Sequence, residues 1–205
     1  MPSRAPLFHL LSLYERVWLT DGSADGRATF ARALAFAHSS TDCCDRSHSP
    51  GHFTGSALVT DIAMTHVLLT HHKKLDKWLQ LGGHADGSPR LDEVAMRECE
   101  EESGLTGLTF SELLIDRNGA IPFDLDIHAI PARGTEPTHL HYDMRFLIVA
   151  DRAARVTTSE ESHDVRWFAL ADAHRVTNER SMHRQFETLT ALREGRGPAT
   201  LSRQP

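Results

Sequence analysis

The sequence predicts a fold of the α/β class, α+β in type, with a mixed sheet covered by helices on both faces and a helical extension at its N-terminal end. Three observations carry this. Short runs rich in Val, Leu, Ile and Thr recur from Gly55 to Phe168. A helix-like stretch ending at Gly104 interrupts them, and another from Glu179 to Arg193 follows them. Strands on both sides of one helix, with a second helix late, suit a sheet with helices layered on each face.

The 205 residues suffice for one large domain, or one domain with an extension. Hydrophobic residues make up 40% and charged residues 24%, as in an ordinary soluble protein. Lys and Arg number 22 against 28 Asp and Glu, a formal charge of −6. That balance argues against polymeric nucleic acid as a partner, while a small phosphorylated molecule held through metal ions stays open. Three cysteines, Cys43, Cys44 and Cys99, lack disulfide-like spacing and fit a reducing, cytoplasmic setting. The apolar stretch from Leu7 to Leu19 is interrupted by His9, Glu15 and Arg16, and the run from Phe146 to Ala150 is short. Neither suits a signal peptide or a membrane span, so no membrane partner is expected.

In order along the chain, Leu7, Leu10, Leu11, Tyr14, Val17 and Trp18 make one apolar helical stripe, broken at Asp21-Gly22. A second stripe runs through Phe30, Leu34 and Ala37. These helices carry no recognisable chemistry and are expected to pack on the main domain or to form a homodimer. Residues 39–52 read as a polar loop with a Pro-Gly turn. Cys43, Cys44, His48 and His52 lack the separated ligand pairs of a zinc site, so a linker with incidental thiols is expected there. Strands follow at Ser56–Asp61, Met64–Thr70, Lys77–Leu81, Leu108–Asp116, Phe123–Ile130, His139–Ala150 and Val165–Phe168. Leu170–His174 and Glu179–Arg193 read as closing helices, and the tail from Gly195 as frayed.

The chemistry concentrates between Gly82 and Leu105, GGHADGSPRLDEVAMRECEEESGL. Glu98, Glu101 and Glu102 fall within an arc of about 100° on one helical turn. Like charges at that spacing repel, and a divalent cation would compensate them. Ala95, Met96 and Cys99 supply an apolar stripe beside them, while Glu100 points outward. Arg97 lies four residues from both Glu93 and Glu101 and can hold either carboxylate. Gly82-Gly83 suggests a sharp turn that brings a backbone carbonyl to the carboxylates, and Gly104 suits the left-handed end of the helix.

This stretch resembles the signature of the Nudix hydrolase family, G-x5-E-x7-R-E-U-x-E-E-x-G-U, with U a bulky apolar residue. Gly83, Arg97-Glu98, Cys99, Glu101-Glu102, Gly104 and Leu105 occupy its positions in register, and Pro89 stands where the family has its early glutamate. The resemblance covers about Gly51 to Glu194. It implies a Nudix-like α/β/α sandwich over residues 51–194, with residues 1–50 an extension and linker and 195–205 a tail. It further implies that Glu98, Glu101, Glu102 and the Gly82 carbonyl bind Mg2+ or Mn2+, that Arg97 orients a glutamate, and that water attacks phosphorus in a nucleoside diphosphate linked to another group. The general base in such enzymes often lies outside the motif. Glu160 and Glu161 are the candidates, with Glu161 the residue chosen.

His139, His141 and Asp143 alternate along one strand and share a face, as do Asp124, Asp126 and His128 on the strand before it. Paired through the loop from Pro131 to Thr138, they form a cluster able to contact metal or substrate; His139, His141 and Asp143 are taken as substrate-binding. His71, His72, Lys73 and Lys74 end another strand, more simply as a polar turn. Trp78 and Trp167 fit core packing better than base stacking. A small diphosphate, most simply a nucleotide, is the expected partner. A Nudix-fold binding or regulatory protein with weak turnover, and a hydrolase of non-nucleotide diphosphates, are the alternatives.

Overall fold

The computed structural model describes residues 3–20, 24–134, 136–199 and 201. Helix α1 (Ala5–Trp18) starts with a proline in its first turn, where the missing N–H leaves no helical bond unmade. It buries Leu7, Leu10, Leu11, Leu13, Tyr14 and Val17. Helix α2 (Ala24–Ser39) buries Phe30, Ala33, Phe36 and Ala37, so its inward face is rotated slightly from the expected one and Leu34 is half-buried. The break expected at Asp21-Gly22 lies outside the described residues.

The remaining elements are β1 (Gly51–Thr60), β2 (His66–His72), β3 (Lys77–Leu79), β4 (Leu81–His84), α3 (Leu91–Ser103), β5 (Thr109–Phe110), β6 (Ile115–Asp116), β7 (Gly119–Ala120), β8 (Asp124–Ile130), β9 (His139–Val149), β10 (Ser162–Ala169), α4 (Leu170–Ala173) and α5 (Arg180–Arg193). Among the described residues, eight strands form one sheet with the path β10-β2-β1-β9-β5; β3 adds to β2, β4 to β1 and β8 to β9. The sheet is mixed because β1 and β9 run parallel from Gly51↔Leu140 to Thr60↔Val149, while the other pairs are antiparallel.

Alternation along the central strands divides the core. Phe53, Ala57 and Val59 of β1 and Tyr142, Met144, Phe146 and Ile148 of β9 share one cluster with α1, α2 and α3. Leu58 and Leu147 point the other way, onto Met182, Phe186 and Leu189 of α5. Phe36 of α2 stacks on Tyr142 at 4.0 Å between ring centroids, and Trp18 donates its ring N–H to the Pro122 carbonyl at 2.7 Å. The apolar stripes of α1 and α2 are thus engaged within their own chain.

Four details differ from the sequence reading. β1 begins at Gly51 rather than Ser56 and is buried over all ten residues, because parallel pairing with β9 extends into the polar His52-Phe53-Thr54 stretch. Residues 40–50 are the expected polar loop, built of turns, but its thiols are not incidental: Cys43 and Cys44 are buried, and their carbonyls accept the N–H groups of Phe53 (2.7 Å) and Gly87 (2.9 Å). The Leu108–Asp116 run breaks into β5, a 3-10 turn at Glu112–Leu114, and β6. Gly82-Gly83 is not a turn but part of β4, paired with Ser56 and Gly55 of β1.

Beyond α5, Leu201 donates its N–H to Pro198 at 2.9 Å; residues 200 and 202–205 of the expected tail lie outside the described ones. No helix among the described residues is long and apolar enough to cross a membrane.

Candidate active site

Helix α3 turns Leu91, Val94, Ala95 and Cys99 into the core, which leaves Glu98 and Glu102 at its border with β4. Gly104 ends the helix at φ +67°, and its N–H closes on the Glu100 carbonyl at 2.8 Å. The two glycines of β4 serve close approach. At Gly83 an added Cβ would lie 2.4 Å from Glu98 Oε2; at Gly82 (φ +150°) it would lie 2.5 Å from Ser56 Cα. The Gly82 N–H donates to Glu102 Oε2 at 3.3 Å.

Arg97 holds two carboxylates, Glu98 at 2.9 Å and Glu101 at 3.2 Å, and donates to the His84 carbonyl at 3.3 Å. Its other expected partner, Glu93, pairs instead with Arg90 at 2.5 Å. Glu101 is exposed, Glu98 half-buried and Glu102 buried. Burial first, then the charges of Glu98, Glu161 and Glu101, pushes the Glu102 carboxyl up to about 8 against the pull of the Gly82 N–H. Glu98 is also raised, mainly by burial, with Arg97 opposing. Glu161, just before β10, is exposed, and its charge reaches both. Its carbonyl accepts the Lys73 N–H at 3.0 Å, while Lys73 Nζ donates to the Glu160 carbonyl at 2.7 Å. Glu102, a buried carboxylate, is crowded by the charges of Glu98, Glu101 and Glu161, and together they are hard oxygen donors of the kind that suits Mg2+ or Mn2+.

β8 and β9 form the expected hairpin, with Asp124↔Arg145, Asp126↔Asp143 and His128↔His141 opposite one another. Asp143 accepts hydrogen bonds from Thr54 Oγ1 (2.8 Å), Ser56 Oγ (2.7 Å), Gln80 Nε2 (3.2 Å) and Arg145 Nε (2.7 Å). Arg145, 2% exposed, also donates to Asp124 and Asp126, which Arg184 of α5 clasps from the other side. Burial works to raise Asp126 and Asp143, but their cationic and hydrogen-bonding partners hold both below the ordinary carboxylate range.

A cavity of about 760 Å³, within the size range of small-molecule sites, joins the two regions. Gly82, Gly83, Glu102, Glu161, His139, His141 and Asp143 all line it, whereas Glu98 packs behind Gly83 and neither Arg97 nor Glu101 reaches it. His72 and Lys74 also line it, as does Arg133 from the hairpin loop. Trp78 stacks on His71 at 4.9 Å instead, and Trp167 packs against the core.

Among the lining residues, His52, which the sequence reading weighs only for a zinc site with Cys43, Cys44 and His48 and sets aside, and His84, which it leaves in a loop, are not assigned to this cavity. The parallel register sets His52 directly opposite His141, and β4 sets His84 opposite Thr54. The His52 ring centroid lies 4.8 Å from that of His141, 5.1 Å from His139 and 5.2 Å from His84. The only sequence cue was period-two alternation through His52, Thr54 and Ser56, which a loop assignment hides.

The family model for the NUDIX domain matches residues 53–189. Among solved structures, the chain is similar to an Ap4A hydrolase from C. elegans in a binary complex, at 20% identity and a TM-score of 0.54, over 70% of this chain and 98% of that one. It is also similar to a NUDIX-family hydrolase from Clostridium perfringens, at 24% identity and a TM-score of 0.49, over 69% and 97% of the two chains. No curated protein matches the chain.

Proposed function

Because the chain belongs to the Nudix family and is a pyrophosphohydrolase of the Nudix type, we propose that it uses Mg2+ or Mn2+ to cleave the diphosphate of a nucleoside diphosphate linked to a second group. The observation that carries the metal dependence is the Glu102 carboxyl, buried among Glu98, Glu101 and Glu161 and pushed up to about 8 by burial and their charge. A divalent cation relieves that repulsion. When bound, it supplies charge neutralisation on phosphoryl oxygens and a more acidic water.

The chain's own residues divide the remaining work. Glu98, Glu101, Glu102 and the Gly82 carbonyl are the proposed metal ligands. Arg97 fixes the carboxylates of Glu98 and Glu101 through both of its terminal nitrogens. Gly83 lets Glu98 lie against the β4 backbone. Glu161, on the cavity wall and close enough for its charge to reach Glu102, is the proposed base that takes the proton of the attacking water. His139 and His141, which line the same cavity, are the proposed substrate contacts. Asp143 acts from beneath, holding Thr54, Ser56 and Gln80, which also line the cavity.

Product analysis with Mg2+ and a panel of Ap4A, nucleoside diphosphate sugars and nucleoside triphosphates tests this reading. Cleavage of at least one, lowered about 100- to 1,000-fold by Glu102→Gln, is the expected result. Absence of cleavage across the panel would overturn it.

A further inference from the structure

The imidazoles in the cavity form a constellation that the carboxylate chemistry does not use. His52, His84 and His141 each offer one ring nitrogen such that the three nitrogens lie within 4.8 Å of one another. They come from β1, β4 and β9, three strands paired side by side, so the backbone ladder fixes their spacing. His52 is 1% exposed, and neither of its ring nitrogens has a hydrogen-bond partner. The His48 backbone lies close enough to favour its charged form slightly without meeting hydrogen-bond geometry. A fully buried imidazole with both nitrogens unmet is costly and calls for a ligand.

We propose that His52, His84 and His141 form a second metal site, for a divalent ion of the zinc class, in the wall of the cavity that holds the carboxylates. Donor chemistry separates the two sites. Neutral imidazole suits Zn2+, Co2+ or Ni2+, whereas Mg2+ requires oxygen.

The surroundings have the features of a ligand shell. Zn–N bonds of about 2.0–2.1 Å in a tetrahedron place donor atoms roughly 3.3 Å apart. His139 Nε2 already stands 3.3 Å from His141 Nε2, and its Nδ1 donates to the Pro137 carbonyl at 2.9 Å. An outer carbonyl bond of that kind sets a ligand's tautomer and leaves Nε2 free. His139 therefore stands beside the three as a further imidazole donor on the cavity wall, placed to complete the shell.

The test uses the full chain, stripped of metal with a chelator, and titrates it with Co2+ alone in excess Mg2+ while recording visible absorption. One equivalent should give the intense bands of a four- or five-coordinate nitrogen-bound ion, and Zn2+ should displace it. His84→Ala and His141→Ala should each weaken binding by more than about 100-fold, beyond the cost of losing an outer-shell partner. Because His52 sits in the core and its variants risk unfolding, the half-buried His84 is the primary variant, with its thermal transition measured to show that it folds. Glu98→Gln and Glu102→Gln should leave the Co2+ bands in place. The proposal is overturned if the wild type binds no stoichiometric Co2+ or Zn2+, if binding survives both histidine variants, or if Glu102→Gln abolishes it. The readout is independent of turnover, so failure here and failure of the hydrolase reading are distinguishable.

Discussion

Gly82 and Gly83 are adjacent, yet they guard different things. A Cβ at Gly83 meets the carboxylate end of the Glu98 side chain, not backbone, so that carboxylate and its ion pair with Arg97 must shift to admit it. Gly83→Ala should therefore leave the thermal transition nearly unchanged while activity drops about 100-fold, since a displacement of about 1 Å is enough for that loss. A Cβ at Gly82 meets the Ser56 backbone, and its φ of +150° disfavours side chains, so Gly82→Ala should cost about 1–3 kcal/mol in urea unfolding. Glu161→Gln gives a third contrast. As the base, Glu161 should affect kcat about 100- to 10,000-fold with little change in the metal concentration needed for half-activity. A change confined to metal affinity would assign it to the metal shell instead. The carboxylate half of the site was legible because Arg97, Glu98, Glu101 and Glu102 lie on one helix, whose geometry fixes their relation without knowledge of the fold. The imidazole half was not. His52 and His84 reach His141 only through long-range strand pairing, which no local pattern announces.

At the scale of elements, the β8–β9 hairpin is tied to α5 by charge. Arg145 is buried among Asp124, Asp126 and Asp143, and Arg184 of α5 covers the outer two. Removing Arg145 leaves three carboxylates facing one another, so Arg145→Leu should destabilise the fold by about 3–5 kcal/mol in denaturant titration. The cluster also sets an acid limit. Asp126 and Asp143 are depressed in the folded chain, so their contribution is fully present above the unfolded carboxyl value of about 3.9 and is lost as pH falls through the folded values. Stability should fall steeply below about pH 4, and Arg145→Leu should flatten that limb. The hairpin followed from alternation in the sequence, while its register is a finding of the structure. The strand continuation at β4 did not, because two glycines carry no side chains with which to display a period.

At the scale of the whole molecule, α1 and α2 share the cluster that backs α3 and the central strands, with Phe36 stacked on Tyr142. Deleting residues 1–50 would uncover that face and also remove Cys43 and Cys44, whose carbonyls hold Phe53 and Gly87. The shortened chain should be insoluble or lose its cooperative thermal transition, which expression trials and calorimetry would reveal. The expectation that these helices pack on the main domain came from their apolar stripes; the depth of the contact depends on β9, which begins a hundred residues after α2 ends. That distance matters beyond stability. β1 is buried along its length, yet its parallel partner ends at Val149. During synthesis β2 and β4 can pair with β1 soon after it is made, but its β9 edge must wait while about ninety more residues are added. That edge stays open through the stretch of translation between β1 and β9, and chaperone capture by stalled nascent chains should fall once residue 149 has cleared the exit tunnel.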